Sequence, residues 1–205
     1  MPGLFKNFMD LSMRKKGDFM TFRGQAIFCF FLLFGVSAKL PADSDRDTRS
    51  FALHSPAFQN RGEIPKIHAC ERFGGNLSPK LQWTNPPPQT KSFALTCHDP
   101  DAPGGQFIHW IVYHLPVQVR QLDEGLERKQ QLPDGTFQGI NSFQRLGYDG
   151  PCPPKGPPHH YIFTLYALDR SIDIQGTATF ESLQEAMKGH ILGKAQLIGI
   201  FQSKE

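Results

Sequence analysis

Apolar residues in this chain fall into short runs bounded by turn chemistry, not into helical stripes. Seven runs stand out: Phe51–Leu53, Lys80–Trp83, Ser92–His98, Phe107–Leu115, Phe137–Ile140, His160–Ala167 and Ala195–Phe201. They are rich in Phe, Ile, Val and Tyr, and clusters such as Asn85-Pro-Pro-Pro88, Pro133-Asp-Gly135 and Pro151-Cys-Pro-Pro154 separate them. Such residues suit a pleated, half-buried surface, so the pattern predicts a mainly β fold, an antiparallel β-sandwich, over alternating βαβ units. One helix is expected. Ser182-Leu-Gln-Glu185 reads as a capping box, Leu183, Met187 and Ile191 follow at helical spacing, and Gly189 and Gly193 offer the stop.

A different pattern precedes these runs. Arg23 leads into the apolar stretch Ala26–Val36, and Val36-Ser37-Ala38 closes it with small residues. Basic flank, short apolar core and small-x-small exit predict a secretory signal peptide over residues 1–38. The stretch is shorter than the roughly 20 residues a bilayer span requires, so no transmembrane segment is expected in the mature form. Met20 offers a more ordinary initiator than Met1, because residues 1–19 add a polar, charged stretch ahead of the signal. Residues 39–50 hold Asp43-Ser-Asp-Arg-Asp-Thr-Arg49 without apolar periodicity and read as a flexible segment. Residues 51–205 then form one domain.

The leader changes the charge argument. The chain carries 22 basic against 19 acidic residues. Five basic and two acidic residues through Ala38 account for the whole excess, leaving 17 against 17 in the mature part. A neutral domain gives no electrostatic case for nucleic acid, and none is expected as a partner. Export favours a disulfide. Cys97 lies inside an apolar run as a small hydrophobe, whereas Cys70 and Cys152 sit in Gly/Pro-rich loops and are the better pair. Position alone leaves that pairing open against free thiols.

Candidate chemistry concentrates in three pieces: Asp99-Pro-Asp-Ala-Pro103, His109-Trp110 and Gly150–Tyr161. Prolines and glycines stiffen each piece, so carboxylates and imidazoles can form a rigid polar pocket. Strand alternation puts His109 on one face with Ile111 and Tyr113, and His159 with Tyr161, while His114 and His160 point elsewhere. His54, His68, His98 and His190 read as surface or satisfied core histidines. Each piece alone also fits plain turn chemistry.

Together they resemble the phosphatidylethanolamine-binding protein (PEBP) family, in its bacterial Raf-kinase-inhibitor-like branch. The flanking Gly75-Asn-Leu-Ser-Pro79, Lys91-Ser-Phe93 and Met187-Lys-Gly-His-Ile-Leu192 agree, so the likeness covers about residues 51–201. It implies a PEBP-like β-sandwich with one or two short helices and a small pocket for phosphate-like anions. Carried over, the ligand-binding set is Asp99, Asp101, His109, Trp110, Gly150, Pro153, Pro154, His159 and Tyr161. It also implies a Cys70–Cys152 disulfide, since exported bacterial members can carry a cysteine in each of those loops. His160 stands where the eukaryotic pattern has Arg, which leaves the expected pocket without a guanidinium.

The resulting expectation is an exported binding or regulatory protein that takes a phosphate-like small ligand, a lipid headgroup or an acidic group on a protein target. It is not expected to be an enzyme: no nucleophile with an ordered base and no metal motif is visible, and neither catalytic residues, metal ligands nor a cofactor are assigned. Inhibition of a protease or kinase through the pocket rim is one competing reading, and a metal-dependent hydrolase built on the Asp and His residues is another. Oligomeric state stays open, a dimer included. Electrostatically, Asp99 is expected to orient a histidine and favour its protonated form, so that His109, His159 and Tyr161 contact the anion.

Overall fold

The computed structural model describes residues 50–204. The predicted signal peptide, with the alternative start at Met20, and nearly all of the flexible segment lie outside the described residues. Among the described residues, nine strands and one helix follow in order: β1 Ala52–His54, β2 Gly62–Glu63, β3 Leu81–Thr84, β4 Ser92–Asp99, β5 Phe107–Pro116, β6 Gln121–Leu122, β7 Phe137–Gln138, β8 His159–Leu168, α1 Phe180–Met187 and β9 Ile191–Phe201. A 3-10 turn spans Lys66–His68. The mainly β architecture and the short-helix content agree with the sequence reading. No helix among the described residues is long and apolar enough to cross a membrane.

A six-stranded sheet in the order β2-β9-β8-β4-β5-β7 packs against a three-stranded sheet, β1-β3-β6. All pairings are antiparallel except β2 with β9, which makes the large sheet mixed. The principal core fills the space between the sheets. Leu53, Leu81 and Trp83 meet Phe93, Leu95, Trp110, Phe163 and Leu197 there. The other face of the large sheet is covered in part by α1, with Phe180, Leu183 and Met187 against Ala94, Ile111 and Tyr113. β4 lies between β8 and β5 and is buried along nearly its whole length, as a strand covered on both faces must be.

Two boundaries differ from expectation for identifiable reasons. The helix is capped by Thr179, whose hydroxyl accepts from Ser182 N–H while Ser182 Oγ accepts from Thr179 N–H. Ser182 is thus the third helical residue, at the far end of the box, and not its cap. The helix stops at Gly189, which holds φ +79°, and Ile191 opens β9, pairing with Leu168, instead of closing a helical stripe. β9 therefore begins at Ile191, four residues ahead of the expected Ala195. Strand alternation misses its start because Ile191, Leu192 and Lys194 are exposed on an edge-proximal stretch.

Candidate functional site

β4, β5 and β8 end at one rim of the large sheet, and a cavity of about 260 Å³ opens there. Asp99 closes β4, His159 opens β8, and Tyr161 follows two residues later on the same face. That face also carries Phe163 and Leu165 into the principal core, so Tyr161 is anchored by the fold's main apolar cluster.

His109 reaches the same place by another route. β5 pairs Trp110 with Cys97 but Ile108 with His98, so His109 is the extra residue of a bulge. Ile108 joins Ile111 and Tyr113 in the cluster beneath α1, while the His109 ring stands 5.1 Å from that of Tyr161. Alternation had assigned His109 to the Ile111 and Tyr113 face; the bulge re-aims it into the cavity. His114, at φ +58° beside a second register shift, stays away and contacts Ser171 and Asp173.

The hydrogen-bond order of the cavity is fixed from behind. His159 Nδ1–H donates to Asp99 Oδ2 at 2.7 Å, with both side chains buried. Asp99 Oδ1 accepts the Asp101 N–H at 2.8 Å, which closes the turn. His109 Nδ1–H donates to the Asp149 carbonyl oxygen at 2.7 Å. In the neutral ring this leaves Nε2 as an acceptor. Burial pushes the His109 pKa below its ordinary 6.5, against weaker opposing effects from the Asp149 carbonyl, Asp99 and the Asp149 charge. The expected help from Asp99 in protonating His109 is thus outweighed by desolvation. Tyr161 Oη is buried without a protein hydrogen-bond partner. Burial first, then the nearby Asp99 charge, raises the Tyr161 pKa, so its hydroxyl remains a neutral donor.

Asp99, His109, Pro153, Pro154, His159 and Tyr161 line the cavity as expected from the sequence. Asp101, Trp110 and Gly150 do not. Asp101 turns outward, and its Oδ2 accepts from both the backbone N–H and Nδ1 of His160 at 2.8 Å. Those bonds, the backbone one foremost, hold its pKa below the usual carboxylate value. Trp110 is buried in the core and donates its Nε1–H to Gln138 at 2.9 Å. Gly150 serves close packing: a Cβ there would sit 2.0 Å from the His68 carbonyl oxygen.

Sequence reasoning missed the apolar side of the cavity, formed by Ala102, Pro103, Phe107 and Phe143. It also missed Asp149. That carboxylate is fully buried, accepts from Asn76 at 3.1 Å, Arg128 at 2.8 Å and Asn141 at 2.8 Å, and forms an ion pair with Arg145 at 2.9 Å. Its partners lie up to 73 residues away, so no local motif marks it. Arg145 also stacks over Phe143 at 5.3 Å, behind the cavity wall and not within it. The Cys70–Cys152 disulfide is formed, and Cys152 itself lines the cavity. Cys97 is free and buried. Among the described residues, no group of three or more His, Cys, Asp or Glu side chains is arranged to hold a metal ion.

The fold is thus a β-sandwich with a compact histidine–carboxylate cavity at the rim of its larger sheet. The chain belongs to the phosphatidylethanolamine-binding protein family, whose model matches residues 54–202. It is 45% identical over 150 residues to a UPF0098 protein of Methanothermobacter thermautotrophicus, covering 73% of this chain and 97% of that one. The UPF0098 protein YbhB of Escherichia coli is 42% identical over 155 residues, covering 73% and 98%. Among solved structures, E. coli YbcL, described as a member of the mammalian PEBP family, superposes with a TM-score of 0.70 at 34% identity, covering 75% of this chain and 99% of that one. The Chlamydia trachomatis PEBP homologue CT736 gives 0.68 at 38% identity, covering 76% and 99%.

Proposed function

We propose that this chain is an exported binding or regulatory protein whose pocket receives a phosphate-type headgroup or an acidic group of a partner. The observation that carries the reading is that the His159–Asp99 pair, His109 and Tyr161, whose hydroxyl is buried outside any well-formed protein hydrogen bond, line one cavity. An unsatisfied buried hydroxyl costs about 1–3 kcal/mol, and a ligand oxygen would recover that loss. His159 adds a second donor. Its Nδ1–H is committed to Asp99, so Nε2 carries a proton in the imidazolium form and then donates outward. Neutral His109 offers Nε2 to a ligand O–H or N–H. Phe107, Phe143 and the prolines surround these polar groups with apolar surface, which excludes water and strengthens each contact.

Export is supported by the signal-like leader and is compatible with the disulfide. No group in the cavity has the arrangement of an activated nucleophile: the Cys152 sulfur is tied in the disulfide, and Tyr161 is held protonated. Calorimetric titration with phosphorylethanolamine and with inorganic phosphate, from pH 5 to 8, tests the reading. Binding that weakens as pH rises through the imidazole range is expected. A flat profile would refute the role given to His159.

A further inference from the structure

In the pocket Asp99 accepts from His159, and burial favours uncharged His109. Uncompensated positive charge lies elsewhere, on the Cys70 side of the disulfide. A cleft of about 90 Å³ there is walled by Lys66, Arg72 and Lys204, floored by Phe73 and Phe201, and bordered by Glu63. The geometry points to a second anion site in this cleft, built for a compact phosphate-type dianion.

Three ordered segments hold the three cations. Lys66 opens the 3-10 turn, whose carbonyls accept from His68 N–H and Ala69 N–H at 2.9 Å. Arg72 sits in a turn closed by Phe73 N–H and Gly74 N–H donating to the Cys70 carbonyl at 2.8 Å, and the disulfide anchors that turn. Its guanidinium lies 5.1 Å over the Phe73 ring, which orients the fork before any ligand arrives. Lys204 follows buried Ser203, whose segment bridges to Lys155 on the pocket loop. Among the described residues, none of these cations, nor Glu63, is engaged in an ion pair.

The charge balance selects the ligand. Three cations and one carboxylate leave the cleft at a net +2 on a described domain that holds 14 basic and 13 acidic residues. A cleft of about 90 Å³ has room for a compact tetrahedral oxyanion. The neighbouring arrangement is equally specific. His159 in the pocket pairs across β8 and β9 with Phe201 on the cleft floor, so the two sites flank one strand pair. The cleft does not depend on the pocket's function, since it shares no side chain with it.

The test is an amide-resolved NMR titration of the purified chain with inorganic phosphate at pH 7. Saturable shifts are expected at 66–73 and 202–204. Arg72→Gln is expected to weaken the cleft midpoint about tenfold or more, as loss of a charge-assisted fork should. The pocket shifts at Cys152, His159 and Tyr161 should keep their midpoint. Glu63→Gln removes the opposing carboxylate and is expected to tighten the cleft severalfold, a gain that misfolding cannot mimic. Absence of saturable cleft shifts, or an unchanged midpoint in both variants, would overturn the proposal. Loss of the pocket shifts alone would overturn the pocket reading and leave this one standing.

Discussion

Asp149→Asn tests whether the pocket depends on the buried carboxylate behind it. The substitution keeps the shape, removes the charge and replaces one acceptor oxygen with a donor. Three hydrogen bonds converge on that carboxylate, from Asn76, Arg128 and Asn141, and Arg145 adds an ion pair. At about 1.5–3 kcal/mol for each of the three hydrogen bonds to a charged group, the gross loss would reach about 4.5–9 kcal/mol. Two corrections reduce it. The Arg128 and Arg145 side chains are 32% and 46% exposed and can be rehydrated, and Asn retains one acceptor. The remaining loss is about 3–5 kcal/mol, the range for breaking a buried ionic partnership. For a domain of this size it lowers Tm by about 6–20 °C. Differential scanning calorimetry measures the shift, and phosphorylethanolamine affinity should fall with it, because the Asp149 carbonyl that holds His109 moves with the same residue. A Tm within about 2 °C of the parent would refute the reasoning.

Tyr161→Phe removes a buried hydroxyl that has no protein partner, so it should leave stability unchanged or raise it by about 1 kcal/mol while weakening phosphorylethanolamine binding; urea unfolding and calorimetric titration read the two effects separately. Replacing Cys70 and Cys152 together by Ala opens a loop spanning 82 residues, a loss of up to about 4–5 kcal/mol on the loop-entropy scale, checked by denaturant unfolding beside the reduced parent. The pH dependence carries a definite sign. His109 has a folded pKa below 6.5, so the unfolded chain binds its proton more readily, and stability is fully present above that value and falls as pH drops through it. His109→Gln should flatten that limb, and the ring's NMR titration midpoint should lie below 6.5.

Much of the fold was legible because β4, β5 and β8 are long apolar runs with turn residues at both ends. Two-residue strands such as β2 and β6 were not, since their pairing is decided by distant partners and not by local pattern. The site divides in the same way. Asp99, His159 and Tyr161 follow from strand ends and alternation. His109 lines the cavity although a bulge invalidates the alternation argument used for it, since a single inserted residue turns the side chain to the other face. Asp101 and Asp99 look equivalent in sequence, yet the turn that satisfies Asp101 N–H with Asp99 Oδ1 sends the second carboxylate out to His160. His98 read as a satisfied or surface histidine, whereas its Nδ1 is buried without a partner and burial lowers its pKa. Asp149, Phe143 and the cationic cleft were invisible because tertiary contacts alone assemble them.

The central claim is that His159 and Tyr161 bind a phosphate-type group in the rim cavity. Calorimetric titration of the parent, Tyr161→Phe and His159→Gln with phosphorylethanolamine at pH 6 tests it most directly. Saturable binding by the parent that weakens about tenfold in each variant is the predicted result. Equal affinity in all three proteins, or no saturable binding by the parent, would contradict the account.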